Sequence, residues 1–136
     1  MTSSFTLSIR LTAKPEAVYH AWLDSREHAA FTGSPAQIEP RVGGVFSVWD
    51  GYITGHTVAL EPPSRIIQSW RTTEFPEEAP DSRVEILLKG VPGGTRLTLK
   101  HSQIPEGQAE EYKQGWKDYY FSPLTAYFHQ EPWPRK

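Results

Sequence analysis

GQAEEYKQGWKDYYFSPLTAYF, residues Gly107 to Phe128, is the stretch whose reading decides the fold. Within it Tyr112, Trp116, Tyr119, Tyr120, Leu124, Tyr127 and Phe128 recur at helical steps, the period that gathers side chains on one face of a helix. The spacing predicts one long helix with a broad aromatic face. Each buried aromatic contributes roughly 1.5–3 kcal/mol relative to exposure, so this face demands cover, and the preceding chain must supply it. Pro123 falls inside the stretch. It lacks the N–H that a helix interior needs, which predicts a kink or restart there.

Upstream of this helix the pattern switches to a period of two. Leu97, Leu99 and His101 alternate with Arg96, Thr98 and Lys100, and Val84, Ile86 and Leu88 alternate with Arg83, Glu85 and Lys89, with Pro92-Gly93-Gly94 as the turn between them. These are the two arms of a hairpin with an inward apolar face. Arg65 to Thr73 places Ile66, Gln68 and Trp70 on one face and Ile67, Ser69 and Arg71 on the other. Asp50-Gly51 is a two-residue hairpin signal, because a type I′ turn needs positive φ at both centres. It joins a strand around Val45–Trp49 to one running from Tyr52 to about Leu60. The segment from Pro76 to Ser82 reads as an acidic, proline-containing loop.

The N-terminal end supplies one more strand and two short helices. Phe5, Leu7, Ile9 and Leu11 alternate with Thr6, Ser8, Arg10 and Thr12. Pro15 suits a first helical position, and Ala17, Val18, Ala21 and Trp22 form the stripe of a helix ending near Asp24. Asp24 with Glu27 three residues on predicts a capping box, opening a second helix from Ser25 to Phe31 that Gly33 and Pro35 terminate. The sum is an α+β fold: an antiparallel sheet of about six strands, two short helices after the first strand, and a long C-terminal helix.

Composition limits what such a fold does. At 136 residues the chain is expected to form a single domain, residues 1–136. Its 38% apolar content, with five Trp, six Tyr and six Phe, indicates an ordered aromatic interior. Fourteen basic and sixteen acidic residues are interspersed, for a net charge of -2, which disfavours nucleic acid as a partner. Cysteine is absent, which removes disulfides and thiolate chemistry. No apolar run approaches the roughly 20 residues of a membrane helix, and the alternating N-terminus is not expected to act as a signal peptide. A cytoplasmic protein is expected, without membrane association, as a monomer or weak homodimer.

Catalytic and metal signals are weak. His20, His28, His56, His101 and His129 offer no helical i, i+4 pair with a third ligand, so no metal and no cofactor is expected. His101 shares a strand face with Leu97 and Leu99, and is read as a histidine satisfied where its strand face reaches solvent. Gly33-Ser34-Pro35 is not a nucleophile elbow. Gly43-Gly44 and Gly93-Gly94 precede strands rather than helices, so they cradle no phosphate. The aromatic set either fills a core or lines a hollow; alternation alone does not distinguish the two.

Several residue groups carry a resemblance to a known family. They are the segment PEAVYHAWLDSREHAAFTG, the Gly43-Gly44-Val45-Phe46 step, the Asp50-Gly51 turn and Gly55, and Pro62 to Ile66 leading to Trp70. The Gly93-Gly94-Thr95 turn, Ile104-Pro105, Gly115-Trp116 and Tyr119-Tyr120-Phe121 complete the set. In this order they resemble the helix-grip fold of START-like (SRPBCC) proteins, and within it the C-terminal domain of activators of the 90-kDa heat-shock-protein ATPase and its single-domain bacterial relatives. The resemblance implies a curved sheet wrapped around the long helix, with a pocket between them. Its candidate lining is Trp22, Phe31, Phe46, Gln68, Trp70, Val84, Ile86, His101, Trp116, Tyr119 and Tyr120.

The function expected from the resemblance is non-enzymatic binding of a small apolar or amphipathic ligand. A chaperone-associated interaction role in the stress response is the alternative, with Trp49, Tyr52 and Trp133 as candidate surface anchors. A cyclase- or hydrolase-type enzyme on the same fold is a third reading. The activators also have an N-terminal domain with an asparagine-containing motif. This chain has neither room for it nor any asparagine, so full chaperone activation is not expected.

Overall fold

The computed structural model describes residues 2–128. Strand β1 (Thr2–Leu11) turns Phe5, Leu7, Ile9 and Leu11 inward. The first three are only half-buried, because β1 is an edge of the sheet. Helix α1 (Pro15–Leu23) starts on Pro15 and buries Val18, Ala21, Trp22 and Leu23. Helix α2 (Ser25–Thr32) follows at once, and Asp24 serves both. Its N–H donates to the His20 carbonyl at 2.9 Å, closing α1, while its carboxylate accepts the Glu27 N–H at 2.9 Å, opening α2. The expected capping box is therefore half formed. The Asp24 N–H is already spent on α1, and the Glu27 carboxylate instead accepts the Tyr127 hydroxyl at 2.8 Å, tying α2 to the C-terminal helix.

Six more strands follow: β2 (Ala36–Ile38), β3 (Val45–Val48), β4 (Ile53–Glu61), β5 (Arg65–Thr72), β6 (Ser82–Val91) and β7 (Gly94–Pro105). They form a seven-stranded antiparallel open sheet in the order β1-β7-β6-β5-β4-β3-β2. The count exceeds the expected six by the three-residue β2. The path is a meander except that α1 and α2 carry the chain from one edge, β1, to the other. β5, the middle strand, is buried continuously from Ile66 to Trp70 rather than on one face alone.

The Asp50-Gly51 turn forms as its sequence predicts. Asp50 and Gly51 have φ of 57° and 88°, and the Tyr52 N–H donates to the Trp49 carbonyl at 3.2 Å. Trp49 itself takes φ 55°, so strand pairing ends one residue earlier, at Val48 with Ile53. Farther along β4, Gly55 is required by close approach. A Cβ there would lie 2.0 Å from the Ser69 carbonyl oxygen and 2.8 Å from the Phe46 ring.

The C-terminal helix has three parts: α3 (Ala109–Trp116), a π-helical segment (Lys117–Phe121) and α4 (Ser122–Phe128). The irregularity expected at Pro123 thus lies in the turn before it. A proline ring clashes with the carbonyl four residues back, here Tyr119, and widening that turn to i→i+5 bonding relieves the clash. The extra residue also rotates the helix face. Trp116, Tyr120, Phe121 and Leu124 are buried, whereas Tyr119 is 59% exposed. A strict helical period predicts Tyr119 inside and passes over Phe121; the π turn reverses both. The core between sheet and helices is continuous, from Leu11, Trp22 and Phe31 through Ile66, Trp70, Leu97 and Leu99 to Trp116 and Leu124.

Candidate ligand pocket

Two histidines organise the interior, and the hydrogen bonds fix their tautomers. The indole N–H of Trp116 donates to His101 Nδ1 at 3.0 Å, so Nδ1 is unprotonated and Nε2 carries the hydrogen. Nε2 donates to Ser82 Oγ at 2.9 Å, and the Ser82 hydroxyl in turn donates to the Trp70 carbonyl at 2.6 Å. His101 is wholly buried in β7, not at a solvent-facing strand end. Phe5, Trp70, Tyr112 and Trp116 surround its ring. Burial lowers its pKa to about 3, so it is neutral with both nitrogens engaged.

His28 has the opposite tautomer. Its Nδ1–H donates to the Trp22 carbonyl at 2.9 Å, and its Nε2 accepts the Tyr120 hydroxyl at 2.8 Å. Burial lowers its pKa to about 4, against a raising effect of the bond to Trp22. Burial likewise raises the pKa of Tyr120. Nearby, Trp22 donates its N–H to Gln68 Oε1 at 3.2 Å, and Gln68 donates to Thr57 Oγ1 at 3.2 Å. These side chains satisfy one another and lock the facing surfaces of sheet and helix. His28 was not singled out by sequence; its i, i+3 spacing with Phe31 on α2 is the signal that places it on the buried face.

Sheet and helix do not meet everywhere. A pocket of about 340 Å³ lies between them, lined by Trp49, Tyr52, Ile53, Trp70, Glu111, Tyr112, Gly115, Trp116, Tyr119 and Tyr120. Its buried floor is Ile53, Trp70, Tyr112, Trp116 and Tyr120; Glu111 and Tyr119 are exposed at the mouth. The lining pairs Trp49–Tyr119, Trp49–Tyr120 and Trp70–Tyr112 are T-shaped at 5.7, 6.3 and 5.0 Å, and Trp116–Tyr120 is tilted at 4.7 Å. Gly115 leaves the helix wall bare: a Cβ built there finds only Tyr119 Cδ2, at 3.9 Å.

Of the candidates read from sequence, Trp70, Trp116, Tyr119 and Tyr120 line this pocket. Trp22, Phe31, Phe46, Val84 and Ile86 pack in the apolar core, and Gln68 and His101 sit in buried polar networks beside it. Trp49 and Tyr52, read as surface anchors, are half-buried pocket walls, and Trp133 lies outside the described residues. Ile53, Glu111, Tyr112 and Gly115 also line the pocket and are not among the lining residues expected from sequence. A glycine inside the aromatic stripe Tyr112, Trp116, Tyr119 is the signal that marks a hollow there. Among the described residues no serine, threonine, histidine or lysine lines the pocket, and Glu111 is the carboxylate that does.

Comparisons with known proteins agree with this architecture. The human activator of 90 kDa heat shock protein ATPase homolog 1 is 30% identical over 127 residues, covering 93% of this chain and 37% of the human protein. The chain therefore spans little more than a third of that relative's length. The crystal structure of an HSP90 activator from Plasmodium falciparum superposes with a TM-score of 0.85 at 26% identity, over 91% of this chain and 94% of the other. CalU16 from Micromonospora echinospora superposes with a TM-score of 0.80 at 28% identity, over 98% and 79%. The profile of one family, described as activator of Hsp90 ATPase homolog 1-like protein, matches residues 12–129. That match takes in both short helices, six of the seven strands and the pocket-bearing C-terminal helix, and the chain belongs to this family.

Proposed function

We propose that this chain is a non-enzymatic binding protein that holds a small apolar or amphipathic molecule between the β3–β4 hairpin, β5 and α3. The observation that carries the reading is the 340 Å³ aromatic pocket with a bare glycine in its helix wall. Its volume is about twice the ~150 Å³ that accommodates benzene in an engineered apolar cavity, and within the range of ligand sites. The test is a thermal-shift screen of monocyclic and bicyclic lipophilic compounds against the chain and its Gly115→Leu variant. A ligand at 100-fold its dissociation constant adds about 2.7 kcal/mol of stability. Stabilisation of the parent but not of the variant is expected; a panel that shifts neither protein refutes the reading.

Family membership favours a second reading, association with a 90-kDa heat-shock chaperone. Its surface would be an outward patch rather than the pocket. Val42, Val45 and Val58 are exposed at 60%, 58% and 39%, and main-chain hydrogen bonds between Gly43–Gly44 and Thr57 hold their segments together. Titration into the chaperone, with its ATPase rate as readout, tests this reading. Binding that Val45→Glu weakens supports it, and no association at micromolar concentration contradicts it.

A further inference from the structure

The pocket has a charge as well as a shape. Glu111 is, among the described residues, the only charged one in its lining, and Glu74 stands beside it, accepting the hydroxyl of the lining residue Tyr52. Among the described residues, neither carboxylate is in an ion pair. Burial, then the charge of the neighbouring Glu74 and a hydrogen bond with it, raises the Glu111 pKa. Two like charges at the mouth of an aromatic pocket disfavour each other unless a proton or a cation joins them.

Among the described residues the lining offers seven aromatic rings, with Tyr119 at the mouth and Trp49, Tyr52, Trp70, Tyr112, Trp116 and Tyr120 below it. The close contacts between lining rings are T-shaped or tilted rather than parallel stacks, while Trp116 stacks on Trp22 and Tyr112 on His101 from behind the lining. The hydrogen-bond donors are largely used inside the protein. Tyr52 donates to Glu74, Tyr112 to Gln108, Tyr120 to His28 and Trp116 to His101. An anion entering the pocket meets carboxylates and no counter-charge; a desolvated cation meets carboxylates at the rim and negative ring faces within.

We propose that the pocket selects organic cations, specifically amines or quaternary ammonium compounds bearing one apolar arm, with Glu111 and Glu74 as the charge-selecting residues. The proposal rests on the binding reading above and adds the sign of the ligand. It is tested by titrating the full chain with benzyltrimethylammonium, its neutral carbon isostere neopentylbenzene, and phenylacetate, following tryptophan fluorescence and calorimetry. The cation is expected to bind about tenfold more tightly than the neutral isostere, and the anion more weakly than either. Glu111→Gln changes an exposed residue; it should lower cation affinity several-fold, and by more than it changes that of the isostere. Rising ionic strength should weaken only the cation. Equal or tighter binding of the isostere or the anion overturns the charge assignment while leaving the pocket reading intact. No binding of any of the three, with the parent protein folded by circular dichroism, overturns both.

Discussion

Replacing Gly115 by alanine should stabilise this protein, an unusual sign for a change in a pocket wall. Gly115 lies in α3, one residue before its end. Glycine in a helix interior costs about 1 kcal/mol relative to alanine, through the extra backbone freedom it loses on folding. In a packed core the added methyl would offset that gain by overpacking. Here the built Cβ meets nothing nearer than Tyr119 Cδ2 at 3.9 Å, an ordinary van der Waals distance, and it points at the pocket rather than the sheet backbone. The propensity gain should therefore survive nearly whole. A gain of ~1 kcal/mol corresponds to a Tm increase of about 2–5 °C for a chain of this size. Urea unfolding followed by tryptophan fluorescence, with the m-value held constant, gives the free energy directly. Destabilisation by more than about 0.5 kcal/mol would mean that the space beside Gly115 is not open, and the pocket with it.

Trp116→Phe keeps an aromatic ring but removes the donor to His101 Nδ1; the orphaned buried acceptor should cost about 1–3 kcal/mol, measured by denaturant unfolding. Gly55→Ala drives a methyl into the Ser69 carbonyl and should cost roughly 2–4 kcal/mol, visible as a lowered Tm. Stability should also fall on acidification. His28 and His101 have folded pKa values near 4 and 3, below their ordinary 6.5, so below pH 6.5 the unfolded chain binds protons that the native state refuses. Their contribution is fully present above pH 6.5, declines as pH falls towards about 4 for His28 and 3 for His101, and then levels off. Equilibrium unfolding at pH 7.5, 6 and 5 should show this slope, and His28→Gln should make it shallower.

What the sequence made legible follows from which forces are local. Alternation in β1, β6 and β7 and the Asp50-Gly51 turn are properties of neighbouring residues, and they read correctly. So did the N-cap at Asp24, though not its missing reciprocal partner, because the Asp24 N–H was claimed by the preceding helix. Tyr119 and Phe121 exchanged places because the response to Pro123 was a wider turn upstream, which shifts every later side chain relative to a strict helical period. His101 was placed on the correct strand face, but its burial depends on Trp116, Trp70 and Phe5, which arrive from other elements. The pocket lies between sheet and helix. Its particular walls depend on Trp49 leaving the strand at φ 55°, which nothing local to the Asp50-Gly51 signal requires.

The central claim is that a ligand occupies the space beside Gly115. The most direct measurement is the set of tryptophan indole N–H resonances in a ¹⁵N-labelled sample, with benzyl alcohol or benzyltrimethylammonium added in turn. Trp49, Trp70 and Trp116 line the pocket, whereas Trp22 packs behind Trp116 with its N–H on Gln68. The account predicts saturable shifts that are largest for Trp49, Trp70 and Trp116, small for Trp22, and lost in Gly115→Leu. Unchanged indole resonances at saturating ligand, or shifts as large for Trp22 as for the three lining residues, would contradict it.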